Sequence, residues 1–138
     1  MTRLARLGLV ATLVALASCG GGDVSPPPPP PPPQGGDLVI SYVPGGPAVG
    51  AILFTISGGP VENVTVRNGA ALQVAFASPV AGTTKVLVSG TLSAGDILTA
   101  RVPDISLAAS YTIQIEQVAD NVTFSLIDAS LNTLTIHR

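Results

Sequence analysis

The chain has 138 residues, room for one domain, and only 10% of them are charged, against roughly 25% in an average soluble domain; its mean hydropathy is +0.55. From Cys19 onward it carries eight acids and four bases, Arg67, Lys85, Arg101 and Arg138, for a net charge of −4 and no basic cluster. Nucleic acids and anionic membrane surfaces recruit clustered Lys and Arg, so neither is expected as an electrostatic partner.

In chain order, Arg3 and Arg6 form a positive start. Leu7–Ala17 is then an apolar run of eleven residues, too short to cross a bilayer as a helix and suited to the h-region of a signal peptide. The tetrapeptide Leu16-Ala17-Ser18-Cys19 that follows resembles the lipobox of bacterial lipoproteins. That resemblance implies cleavage before Cys19, acylation of this cysteine, and anchoring by three acyl chains. An ordinary signal peptide or an uncleaved anchor is the alternative. Cys19 is the only cysteine, so no disulfide partner competes for it. At roughly 0.8 kcal/mol per buried methylene, more than one chain makes a stable anchor. The sorting rule of Gram-negative lipoproteins, applied to Gly20, implies the outer membrane.

Residues 20–36 are low in complexity, with glycines at both ends and eight consecutive prolines, Pro26–Pro33. Eight residues of polyproline II extend roughly 25 Å at about 3.1 Å each, a semi-rigid spacer. A docking site for a proline-binding domain is the competing reading. The expected organisation is a signal peptide over 1–18, a lipidated tether over 19–36 and one folded domain over 37–138.

Within that domain, short segments rich in β-branched residues recur every eight to twelve residues between Gly, Pro, Asn, Asp and Ser, and no helical window competes. This predicts an all-β fold, a single antiparallel β-sandwich of jelly-roll or immunoglobulin-like type. Strands are expected at Leu38–Val43, Ala51–Ile56, Glu62–Arg67, Ala71–Ser78, Lys85–Leu92, Asp96–Val102, Tyr111–Val118, Val122–Ile127 and Leu131–His137. Asn68-Gly69 supplies the positive φ of a type I′ turn, predicting a tight hairpin between the third and fourth strands.

Alternation with period two assigns faces. The core set takes in Leu38, Ile40, Tyr42, Ile52, Phe54, Ile56, Val64, Val66, Leu72, Val74, Phe76, Val86, Val88, Leu92, Leu98, Ala100 and Val102. Tyr111, Ile113, Ile115, Val122, Phe124, Leu126, Leu134 and Ile136 complete it. The opposite set, including Thr65, Gln73, Lys85, Thr99, Arg101, Gln114, Glu116, Thr123, Ser125 and Thr135, is polar and scarcely charged. All five aromatics of the domain fall in the core set and tryptophan is absent, which leaves no exposed ring for stacking on a sugar. Tyr42 and Tyr111 are the candidate ligand contacts, since a tyrosine hydroxyl often reaches the rim.

The catalytic inventory is thin, so no catalytic or metal site is assigned, no cofactor is expected and the chain is read as a non-enzyme. His137 is the only histidine and lies one residue from the end, a poor support for a Ser-His-Asp arrangement, and zinc finds no Cys/His set. The acids are scattered singly, whereas a glycosidase needs two facing one cleft. Asp96, Asp104 and Asp120 fall in loops or at strand ends, as turn formers or calcium ligands, without an Asp-x-Asp-x-Asp-Gly loop. Asn63-Val64-Thr65 and Asn121-Val122-Thr123 match the glycosylation acceptor pattern, which carries little meaning in a bacterial chain.

Val49–Ile56, the segment Val86-Leu87-Val88-Ser89-Gly90, and Gly95–Ala100 resemble, in rhythm, cohesin and related carbohydrate-binding jelly rolls. The resemblance implies a sandwich and carries over no binding residue. The expectation is an envelope-anchored interaction or adhesion module, attached to the membrane through its lipid and facing an envelope protein or a glycan. A carbohydrate- or small-ligand-binding module is the alternative.

Overall fold

A computed structural model describes residues 26–67 and 71–138. The signal peptide and Cys19 therefore lie outside the described residues, as does the Asn68-Gly69 turn. All strands fall in one compact unit, Pro31–Arg138. No helix among the described residues is long and apolar enough to cross a membrane.

The strands are β1 (Gly36–Val43), β2 (Val49–Ser57), β3 (Asn63–Val66), β4 (Gln73–Val80), β5 (Thr83–Ser89), β6 (Gly95–Val102), β7 (Thr112–Asp120), β8 (Leu126–Ile127) and β9 (Thr133–His137). They form two antiparallel sheets, ordered β3-β6-β1-β9 and β4-β5-β2-β7-β8. The fold is thus the all-β sandwich expected from the alternation. Its core is the inner row of each strand: Leu38, Ile40 and Tyr42 of β1 face Ile52, Phe54 and Ile56 of β2, with Val86, Val88, Leu98, Ala100 and Val102 all buried. β-branched and aromatic side chains dominate this interface because they pack well on a pleated surface.

The ladders slip at several points, and two of these β-bulges change which residues reach the core. Between β1 and β6 the register slips at Ile40/Ser41, which brings Ile97 inside beside Leu98. Between β2 and β7 it slips at Leu53/Phe54, so that Leu53 faces Gln117 while Phe54 faces Ile115. The extra residue, Glu116, turns outward to accept hydrogen bonds from Thr55 and Lys85, and Val118 enters the core. Each bulge sets two residues against one and flips the parity beyond it.

Four expectations need correction. The third and fourth strands do not form a hairpin, because β3 pairs with β6 and β4 with β5, in opposite sheets. Asn-Gly favours a reversal of the chain, but which sheet the next strand joins is decided by packing. A six-residue 3-10 helix, Ile105–Ser110, occupies a stretch where no helix was expected. It begins where the Asp104 carboxylate accepts from the Ser106 amide and hydroxyl, and a second, Ala129–Leu131, starts the same way at Asp128. The eighth strand shrinks to two residues, leaving Val122, Phe124 and Leu126 exposed instead of in the core. Phe76, at the open edge of the sandwich, is 39% exposed.

Candidate binding surface

The two ends of the sandwich differ. The chain enters at Gly36, which pairs with Val102, and β1 runs to Val43 at the other end. β2 starts there, with Val49 opposite Asp120. The loop 121–125 after β7 therefore projects from the end opposite the entry point, the distal end.

This loop is tied together by one carboxylate. Asp120 accepts from the backbone amides of Val122 (2.8 Å), Thr123 (2.7 Å) and Ser125 (3.0 Å) and from the Thr123 hydroxyl (2.7 Å). The Asp120 amide in turn donates to the Ser125 carbonyl, and the Asn121 amide to that of Ala48. Hydrogen bonds of this kind stabilise the ionised form. Those from the Thr123 amide and hydroxyl, followed by the Val122 amide, hold the Asp120 carboxyl at about 2. By giving the backbone partners outside a ladder, Asp120 ends the strand at its own position.

With its polar groups bonded to one another, the loop also presents apolar side chains to water. Val122 is 82% exposed, Phe124 61% and Leu126 69%. Phe124 has φ +55°, the only non-glycine residue with positive φ among those described. The left-handed region is costly for a bulky side chain, and such strain concentrates at functional sites. The loop lies directly over Gly50, where a Cβ would meet Asn121 Cα at 2.6 Å and Phe124 Cε1 at 3.1 Å.

The apolar surface continues from the loop across the outer face of the five-stranded sheet. Leu126 pairs with Ala119, Ala119 with Ala51, and Leu53 with Leu87, which faces Ala75 on β4. Leu87 is exposed, and shallow depressions flank it on both sides. At the entry end, by contrast, a hollow of about 440 Å³ lies between Pro31–Gln34, Asp104–Ser106 and Arg138. It follows from the way the proline segment leaves the domain.

The sequence-predicted contacts Tyr42 and Tyr111 are both buried. Tyr42 donates its hydroxyl to Asn132 Oδ1 at 2.6 Å, and Tyr111 donates to the Pro60 carbonyl at 2.8 Å. Burial pushes both phenols above their ordinary range. Their rings serve the core, and the most exposed ring among the described residues is Phe124, which alternation had placed inside. The signal that points to it is Asp120 followed by Thr123 and Ser125, a cluster whose side chains bond to nearby backbone and so oppose a continuous strand.

Asp96 accepts from Ser41 and lies 3.9 Å from Arg67, and His137 is exposed at the end of β9. Among the described residues, no group of three or more His, Cys, Asp or Glu comes together in a way that would hold a metal ion. Comparison with known protein families, with curated proteins and with solved structures finds no match for this chain.

Proposed function

We propose that the chain is an envelope-anchored lipoprotein whose β-sandwich is a non-enzymatic module that binds an envelope protein through its distal end. The observation that carries this reading is Phe124, a bulky aromatic held in left-handed backbone and exposed to water by a loop that one carboxylate keeps ordered. An aromatic anchor on a pre-ordered loop binds with little loss of conformational entropy, and an apolar patch continuous with it extends the contact. In this reading the lipid at Cys19 and the proline spacer would hold the domain off the membrane by its Gly36 end, and the apolar tip lies at the opposite end of the sandwich.

The test compares crosslinked envelope partners of the full chain with those of Phe124→Asp. Loss of specific partners with the fold retained is the expected result. Unchanged partners, or a hydrolytic activity that depends on one of the acids, refute the reading. Because Phe124 is an exposed ring, a sugar-stacking module is the second reading. Phe124→Leu separates the two, since an apolar protein contact tolerates leucine whereas stacking on a sugar face requires the ring.

A further inference from the structure

The sandwich has four edge strands, and they are not equally protected. β8 has two residues, β3 has four and lies between Glu62 and Arg67, and β9 runs out at His137-Arg138. β4 is different. It is eight residues long, carries no charged side chain, and among the described residues pairs in its sheet only with β5, while β3 of the other sheet passes close to it. Soluble proteins block exposed edges with charges, short strands or bulges, because a free row of N–H and C=O groups templates another strand. On β4 the only such device is Pro79, where the pairing with β5 breaks between Ala77 and Val80. The regular part, Gln73–Ala77, remains open.

We propose that β4 pairs antiparallel with β4 of a second copy of this chain, about a two-fold axis at Ala75, joining the two five-stranded sheets into one of ten. The side chains suit this register. Ala75 faces its own counterpart. Val74 faces Phe76 of the second copy, and the same pair recurs on the other side of the axis, which covers the ring that the isolated edge leaves 39% exposed. Gln73 faces Ala77. Aromatic against β-branched is a favourable cross-strand pair, and no like charges meet. A two-fold contact places each residue against its own chemistry, so an edge free of charge is the one suited to self-pairing. Lys85, the charge nearest the edge, is already paired with Glu116 at 2.7 Å. On the outer face, the Ala75-Leu87-Leu53 row of each copy runs into that of the other.

The test uses the full chain in membranes, with oxidation to trap dimers of Ala75→Cys. Opposed Cα atoms in an antiparallel pair, roughly 4.5–5.5 Å apart, lie within disulfide reach. A trapped dimer is expected, above the level of the unmodified chain, which controls for Cys19, and above Thr135→Cys on β9. Adding Gln73→Lys with Ala77→Lys puts like charges directly opposite and lowers the yield about tenfold or more. Gln73→Lys with Ala77→Glu puts opposite charges there and retains it. All these positions are exposed, and circular dichroism verifies the fold. No dimer above the controls, or equal yields from the two charge variants, overturns the proposal, as does capture at position 75 of a foreign strand instead of a second copy.

Discussion

Tyr42→Phe separates a structural tyrosine from a ligand contact. The substitution removes one oxygen and leaves the ring in the core. In the folded chain it strands Asn132 Oδ1, which is buried and accepts from the Tyr42 hydroxyl at 2.6 Å; Asn132 Nδ2 already has no partner. A buried acceptor that loses its donor costs about 1–3 kcal/mol. For a domain of roughly 100 residues this lowers Tm by about 4–8 °C per kcal/mol. Asn132→Leu, close to isosteric, removes the other half of the pair. The double variant should lose clearly less than the sum of the two single losses, because replacing both partners by apolar groups restores a consistent interior. Urea and thermal melts of the four proteins give the cycle. If Tyr42→Phe changes stability by less than about 0.5 kcal/mol, or if the single effects simply add, the buried pair is not holding the β1–β9 side of the core as described.

Three further outcomes follow from the distal loop. The Asp120 carboxyl lies at about 2, against an ordinary value of 3.8, so its contribution to stability is complete above the ordinary value and disappears as pH falls through about 2. Amide exchange at Val122, Thr123 and Ser125 should accelerate in that window, and titration of Asp120 at its ordinary value would refute the assignment. Gly50→Ala brings a methyl within 2.6 Å of Asn121 Cα and 2.9 Å of the Asp120 carbonyl, backbone atoms that cannot turn aside. A loss of about 1–3 kcal/mol is expected, with limited proteolysis cutting first within residues 121–125, and an unaltered melt and digest would contradict the close approach. Phe124→Gly relieves a left-handed backbone and should leave stability unchanged or raise it by up to about 1 kcal/mol while binding is lost; a large destabilisation would mean that the ring packs rather than binds.

The strands were legible because the period-two pattern is a direct image of a surface with one wet and one buried side. All nine expected segments contain a strand, and Leu38, Ile40, Ile52, Phe54, Val86 and Val88 lie in the core as the pattern requires. What alternation could not reveal was where the count slips. Ile97 entered the core as the extra residue of one bulge, and Val118 because another bulge added Glu116 ahead of it. Val122, Phe124 and Leu126 alternate as well as any buried strand, but the Asp120 carboxylate holds the amides of Val122, Thr123 and Ser125 and folds the segment into a loop. The hairpin expected across Asn68-Gly69 failed for a different reason, since the turn preference of two residues does not decide which sheet receives the next strand. The candidate surface was therefore the least legible part, built where local side-chain chemistry overrides the periodic signal.

The position of β1 has a mechanical consequence. It lies inside the four-stranded sheet, between β6 and β9, and its first residue is where the proline segment joins the domain. A partner gripping the distal end would load the domain along the strand axis, against the pull of the spacer at Gly36. The ladder bonds of β1 run across that axis, so the load falls on all of them together in shear, and none can be peeled away ahead of the rest. Under the proposed anchoring and binding, β1 is the strand that would carry the tension between tip and base.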